Sequence, residues 1–312
     1  MKPKMLISDI AEFMEITTGR LHQIIGEREI PVEKESNRSF INYTGAKVLF
    51  KIPFEKKVIS FQTVKGGVGK TTLCHSIGTR ASLYGAKVLF LDIDQQANLT
   101  GTFCLDNETL SDKCIKKVID KSYSIEDVIV PVCEGIDLIP SNIKNAVLDK
   151  LIMIETLPID KVLQKELEKI RHNYDFIFID CPPSISPLVS AATLSSDLVV
   201  SPLTPDKYGM DGLKMCAREV DGLNKTYEKN IDYKVILNKY DKRTILSPAI
   251  YNLIEENSFF KGKLISSFIS TTQEFSNASI EQRSIFCATR QTNVCKDIDA
   301  ITKELIFPAN YE

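Results

Sequence analysis

The chain has 312 residues and a formal net charge of −2, enough length for one large core with a smaller unit appended. So even a balance excludes the global basic field that draws a protein to nucleic acid or anionic lipid. Its eight cysteines form neither a CxxC pair nor a Cys/His cluster at zinc spacing, so they are expected as free thiols of a reducing compartment. Asp9 and Glu12 break the early apolar run that a secretory leader needs, and no stretch has the length of a membrane span. The expectation is a cytoplasmic protein without a membrane partner.

Residues 1–50 have a character of their own. Ile10, Phe13, Ile16, Leu21 and Ile24 recur at helical spacing that is interrupted at Ile16-Thr17-Thr18, where Thr17 can cap a second helix. The pattern predicts one helix near Ser8 to Met14 and another near Thr18 to Ile25. A short strand around Ser39 to Ile41 and a helix start near Thr44 follow. This run resembles the MerR-type winged helix-turn-helix, with Glu15 standing where many such units have a turn glycine. The resemblance implies an operator-DNA-binding domain, with Thr18, Arg20, His22 and Gln23 on its second helix and Arg38 on its wing as contacts. Acidic residues match basic ones in number here, which weakens the electrostatic footprint. The alternative is a helical packing or dimerisation module.

Residues 51–57, KIPFEKK, are expected as a linker, with Pro53 discouraging a continuous helix. Beyond it, apolar runs predict strands at 58–62, 87–92, 136–140, 175–180, 197–202 and 234–238. Helices are expected from Thr71 to Tyr84, Ile159 to His172 and Met210 to Tyr227. Strands apolar on both faces and alternating with helices predict a doubly wound, mostly parallel α/β sheet filling residues 58–312.

The chemistry concentrates in Val58 to Ser76, VISFQTVKGGVGKTTLCHS. A brief apolar strand runs into Lys65-Gly66-Gly67-Val68-Gly69, and Lys70-Thr71-Thr72 opens a helix. Glycines let successive N–H groups turn inward on anionic oxygens, and the helix start adds unsatisfied N–H groups and a positive dipole end. Lys70 is placed to reach terminal phosphates and the Thr71 hydroxyl to ligate Mg2+. The strict phosphate-loop pattern has glycine where this chain has Val64, and Lys65 adds a second lysine at the loop's mouth. One βαβ unit later, KVLFLDIDQQANLT delivers Asp92 and Asp94 at the carboxyl end of a strand, where open α/β sheets bind ligands. DFIFIDCPPS then delivers Asp180, a carboxylate placed to hold magnesium through water.

KGGVGKTT, DIDQQANLT and DCPPS, in that order and spacing, resemble the deviant Walker ATPases, and specifically the ParA-type DNA partition ATPases, over about residues 58–300. SPLTPDKYGMDGL, residues 201–213, is similar to that family's proline-rich segment before a helix. The resemblance implies ATP and Mg2+ as cofactors and a homodimer that binds nonspecific DNA. It implies slow hydrolysis stimulated by a ParB-like centromere-binding partner, repression of its own operon, and a place on the nucleoid. By position, Lys65 would cross to the partner's phosphates, while Lys70, Thr71 and Thr72 would hold phosphate and magnesium in cis. Asp94 would orient the hydrolytic water, Asp92 and Asp180 would sit in the magnesium shell, and Asn238 in KVILNKYD would read adenine. Many such proteins have proline and glycine where this chain has Gln95 and Ala97. Their DNA-contacting arginines fall at Thr271 and Glu274 here, which leaves Lys239, Lys242, Arg243, Lys261, Lys263, Arg283 or Arg290 as candidates. Competing readings are a MinD-like positioning ATPase, which needs a basic amphipathic carboxyl-terminal helix that CKDIDAITKELIFPANYE does not provide, and an ATP-responsive transcriptional repressor. A nitrogenase iron protein relative is a third, although Cys133 and Cys181 do not reproduce that family's cluster surroundings.

Overall fold

The computed structural model describes residues 2–35, 37–105, 110, 112–287 and 292–308. Arg290, one of the basic candidates, lies outside the described residues. The chain opens with β1 (Met5–Leu6), α1 (Ile7–Phe13), α2 (Thr18–Glu27), β2 (Glu33–Glu35), β3 (Arg38–Ile41) and α3 (Tyr43–Phe50). The helices and β3 fall within a few residues of where the periodicity puts them. Thr17 does cap α2, its hydroxyl accepting from the Arg20 N–H at 3.2 Å. Glu15 takes the left-handed conformation, with φ 53°, at the turn position where glycine is the unstrained choice. β2 and β3 form an antiparallel hairpin, and β1 joins it on the other edge of β3.

This unit is docked closely on the rest of the chain. Phe13 and Phe50 pack on Tyr84, with ring centroids 5.2 and 5.6 Å away, and Phe307 closes the cluster 4.9 Å from Tyr84. Such aromatic pairs contribute about 0.5–1.5 kcal/mol each beyond their buried area. Two glycines permit the approach. A Cβ on Gly85 (φ 92°) would lie 2.6 Å from the Lys47 Cα, and one on Gly135 (φ 81°) 2.2 Å from the Tyr43 ring. The segment expected as a linker has no regular structure from 51 to 56, yet Phe54 packs on Phe176 at 5.4 Å.

The remaining strands are β4 (Lys57–Phe61), β5 (Val88–Asp92), β6 (Val130–Cys133), β7 (Ile136–Ile139), β8 (Phe176–Asp180), β9 (Leu198–Leu203), β10 (Asp232–Tyr240) and β11 (Leu264–Ser270). They form one sheet in the order β11-β10-β9-β4-β8-β5-β7-β6. Every pairing is parallel except β6 with β7. β6 and β11 were not expected from the apolar runs: one contains Pro131 and sits at an edge, and the other is interrupted by serines. Helix α4 (Lys70–Leu83) lies on one face, its Leu73, Ile77 and Ala81 in a common core with Ile298 and Ile301 of the helix Asn293–Ile306. The helix Pro187–Leu194 covers the other face with Leu163, Leu167 and Ile170. The single helix expected from Ile159 to His172 is broken into Ile159–Val162, Gln164–Ile170 and a 3-10 turn. No helix among the described residues is long and apolar enough to cross a membrane.

The Gly85 contact is testable. Gly85→Ala puts a methyl group into α3 and forces a left-handed alanine, so urea unfolding should show a loss of about 2–4 kcal/mol. Gly26→Ala, in α2 with nothing within 4 Å, should be neutral or stabilising by up to about 1 kcal/mol.

Candidate active site

β4 ends against the loop Gln62–Gly69, and α4 begins at Lys70. Gly67 and Gly69 both have positive φ, 73° and 96°. Any side chain at Gly69 would be strained by the positive φ, and its Cβ would displace the Asn238 Nδ2, 2.3 Å away. Asn238 lies beneath the loop, donating from Nδ2 to the Val68 carbonyl at 2.7 Å and accepting at Oδ1 from the Lys239 N–H. Lys239 donates from Nζ to the Gly67 carbonyl at 3.0 Å. The two side chains clamp the loop from the carboxyl end of β10.

Lys70, the first residue of α4, is buried at the loop's base. Burial pushes its ammonium pKa down, and the Asp180 carboxylate is the strongest influence in the other direction. Thr71 donates from Oγ1 to Asp180 Oδ2 at 2.7 Å. The parallel register sets Asp92 directly opposite Asp180, and both are fully buried. Burial pushes Asp92 up to about 7, and Asp180 is raised well above the carboxylate range, by burial first and by the Asp92 charge next.

The two carboxylates differ in what they have left to offer. Asp92 is already partnered on both oxygens: Oδ1 accepts from the Asp94 N–H at 3.1 Å, and Oδ2 from the Thr100 N–H and hydroxyl at 2.9 and 2.7 Å. Asp180 Oδ1 is buried with no partner. An orphaned carboxylate oxygen beside a threonine hydroxyl fits a divalent cation, whose charge would remove the cost of burying it. Among the described residues no three His, Cys, Asp or Glu side chains converge on a metal cage. Mg2+ is commonly held by one or two carboxylates with phosphate and water, so this donor set suits it. Asp94 faces the same edge, its Oδ1 accepting from the Gln96 N–H at 3.0 Å.

The loop after β5 rests on residues that the motifs do not reveal. The Ser141 N–H donates to Thr100 Oγ1 at 2.9 Å, the Ser141 hydroxyl donates to the Asp94 carbonyl at 2.6 Å, and Asn145 Nδ2 donates to Ser141 Oγ at 2.7 Å. Ala97 in this loop is left-handed, φ 53°, at a position where the resemblance expects glycine. Gln95 and Gln96 lie in the turn that follows Asp94, and Gln95 is exposed.

Lys65 is held within its own chain. Its ammonium pairs with the Asp206 carboxylate and lies 3.5 Å from Thr204 Oγ1. Asp206 also caps the helix Lys207–Tyr227, accepting from the Gly209 N–H at 2.9 Å. One turn on, Gly212 lets this helix approach the loop: a Cβ there would sit 3.0 Å from Val64 Cγ2.

The residues expected to touch DNA are elsewhere. Arg20, His22 and Gln23 are exposed on α2, and Thr18 opens it. Gln23 donates to Glu27 at 2.7 Å, and Arg20 lies 3.9 Å from the same carboxylate. Thr18, His22 and Arg38 line one open cleft with Asp9, Glu12 and Lys296. Of the other basic candidates, Arg243 pairs with Asp241, Arg283 pairs with Glu281, and Lys242 and Lys263 lie over aromatic rings.

A family profile described as an AAA domain matches residues 56–233. The chain is 30% identical to a ParA family protein of Chlamydia trachomatis over 257 residues, 80% of this chain and 98% of that protein. It is also 30% identical to the sporulation initiation inhibitor protein Soj of Bacillus subtilis over 224 residues, 71% of this chain and 87% of that one. Among solved structures, it resembles a plasmid partition protein of Borrelia burgdorferi bound to AMPPNP, with TM-score 0.68, 22% identity, and coverage of 80% and 98%. It resembles an ATP complex of Cyanothece McdA with TM-score 0.72, 20% identity, and coverage of 80% and 96%.

Thr100→Val keeps the shape of the side chain while removing one of the two donors on Asp92 Oδ2 and leaving the buried Ser141 N–H without its partner. Thermal and urea unfolding should show a loss of about 2 kcal/mol.

Proposed function

This chain belongs to the ParA family of P-loop ATPases, and from that premise we propose that it is an ATP-dependent DNA partition protein acting as a nucleotide-bridged homodimer. The observation that carries this reading is the convergence of Lys70, Thr71 and the unpartnered Asp180 oxygen at one loop, with Lys65 at its mouth. The loop's Gly66, Gly67, Val68 and Gly69 present N–H groups to the phosphates, and Lys70 and Thr72 contact them. Thr71 and Asp180 hold Mg2+, with Asp92 behind them fixing the loop that carries Asp94. The ion, when bound, draws charge from the phosphates. Asp94 orients the attacking water. Lys65 leaves Asp206 and crosses to the phosphates of the partner subunit, so that loss of the γ-phosphate removes the anion between two lysines and loosens the dimer. Asn238 braces the loop through one N–H of its amide, and its second N–H is the donor to adenine in this reading.

In this proposal residues 1–50 form a winged helix-turn-helix domain that binds operator DNA through Thr18, Arg20, His22, Gln23 and Arg38, joined by 51–57 to the ATPase at 58–312. The ATP dimer binds nonspecific DNA of the nucleoid, and a ParB-like partner stimulates hydrolysis. A repressor answering to ATP is compatible with this scheme, because the N-terminal unit packs on the far end of the helix that begins at Lys70. A membrane-surface positioning role fits less well, since the apolar face of Asn293–Ile306 is buried in the core.

Calorimetric titration with ATP and Mg2+ should show binding to the intact protein and none to Lys70→Ala. Asp94→Ala should bind ATP with similar affinity while turnover falls by about 10²-fold or more. Unchanged turnover would remove Asp94 from its role, and unchanged affinity in Lys70→Ala would overturn the phosphate-loop reading.

Deleting residues 1–50 would uncover Tyr84 and its neighbours, so surface substitution is the cleaner test of the DNA reading. Arg20→Ala with Gln23→Ala should abolish footprinting on the upstream region and leave ATP turnover intact. A retained footprint would make the unit a packing module.

A further inference from the structure

Between β10 and β11 the chain runs through the helix Leu246–Glu256, which turns Ser247, Ile250 and Ile254 inward. Ile250 and Ile254 pack in a core shared with both strands. The outer side of this helix is apolar as well. Ile245, helical in backbone and just ahead of the first turn, is 93% exposed and Leu253 is 49% exposed. Ala249 between them is exposed too. At four-residue spacing the three fall along one stripe, so they make a face rather than three separate side chains.

The charges at the two ends of this helix are set against its dipole. Lys242 and Arg243 stand exposed in the turn before it, and Glu255 and Glu256 close it. Its first turn has no acid and its last turn no base. A helix on its own favours the opposite arrangement. A second helix lying antiparallel reverses the balance, because it brings its acidic end to the basic end of the first.

We propose that this face pairs with the same face of a second copy of the chain, the two helices lying antiparallel about a two-fold axis at Ala249. The spacing of the stripe fits that axis. Ile245 and Leu253 stand four residues to either side of Ala249, and Lys242 and Glu256 stand seven. The two-fold sets Ile245 of each copy on Leu253 of the other and Lys242 near Glu256, each contact made twice, as an isologous interface requires. Ala249, the smallest side chain of the stripe, falls at the axis, where the helices come closest.

The contacts already made at the basic end leave it available. Lys242 lies 5.4 Å over the Phe268 ring, and Arg243 pairs with Asp241 while its own side chain is largely exposed. Glu255 and Glu256 have no ion pair among the described residues. The face is also distinct from the mouth of the phosphate loop: the loop follows β4 in the middle of the sheet, and this helix packs by β10 and β11 at one edge. The inference therefore stands apart from the nucleotide bridge proposed above. A contact through one helix of 11 residues falls short of the roughly 1,200 Å² of a standard stable interface, so the pairing is weak, with a Kd of about 10–100 µM.

The test is sedimentation velocity on the full-length protein without nucleotide, over a concentration series bracketing that value. The intact protein should pass from monomer to dimer. Ala249→Glu, which sets two carboxylates against each other across the axis, should stay monomeric. Lys242→Glu and Glu256→Lys should each weaken association about tenfold or more, since each then meets a like charge at both ends of the pair. An equimolar mixture of those two variants should associate as the intact protein does, because every end contact then joins opposite charges. An intact protein that stays monomeric, a mixture that fails to recover, or an Ala249→Glu variant that associates normally overturns the pairing. In the last case, a loss of affinity for duplex DNA in Ala249→Glu would give the face to DNA instead.

Discussion

Two carboxylates buried side by side are the constraint to which the rest of the site answers. The register of β5 with β8 brings Asp92 opposite Asp180 where neither reaches water. Two like charges so placed cannot both be held cheaply, and both carboxyls are raised above the ordinary carboxylate range, by burial first. The chain meets this cost unevenly. Asp92 is surrounded by donors from Thr100 and the Asp94 backbone, and thereby anchors the loop after β5. Asp180 has only the Thr71 hydroxyl on one oxygen and the Lys70 charge nearby. What is left unbalanced is a single buried oxygen of Asp180, and that imbalance is what suits the pair to the cation proposed above.

α4 carries the consequences of this site away from it. It is 14 residues long, about 20 Å at the rise of an α-helix. Its first residues meet the carboxylates, and its last turn holds Arg80, buried and paired with Asp299. Just beyond, Tyr84 and Gly85 receive Phe13, Phe50 and α3. Removing one member of a buried pair such as Arg80–Asp299 costs about 3–5 kcal/mol, so this end of the helix does not give way. The N-terminal unit therefore rides on the element that ends in the phosphate loop. A DNA contact made by α2 would hold the nucleotide site in a defined orientation rather than at the end of a flexible tether.

Much of the sheet was legible because its central strands are apolar on both faces, and such runs mean a covered parallel strand whatever lies around them. The glycine loop was legible for a related reason: Gly67 and Gly69 are demanded by local geometry. Edge strands were not, since β6 carries Pro131 and β11 has two consecutive serines, and only their neighbours make strands of them. Partners distant in sequence were also hidden. Ser141 and Asn145 bind Thr100 and each other through single polar atoms that leave no pattern, and Asp206 reads locally as a helix cap rather than as the partner of Lys65. Phe54 in the supposed linker shows the same limit, because a composition that permits flexibility cannot report a ring lodged against Phe176.

The two ion pairs at opposite ends of this system share their chemistry and differ in burial, and burial decides what each can do. The Arg80 and Asp299 side chains are 4% and 15% exposed, so their separation leaves charges in a medium that cannot solvate them. The Lys65 and Asp206 side chains are 31% and 35% exposed, and a pair so wetted contributes about 0–1 kcal/mol. It restrains a long side chain without trapping it. An anion richer in charge than one carboxylate can draw Lys65 off at little cost, whereas a neutral or singly charged ligand gains nothing by the exchange. A lysine held this lightly at the mouth of a phosphate loop is thus positioned to respond to the number of charges brought to it, and a triphosphate differs from a diphosphate in that number.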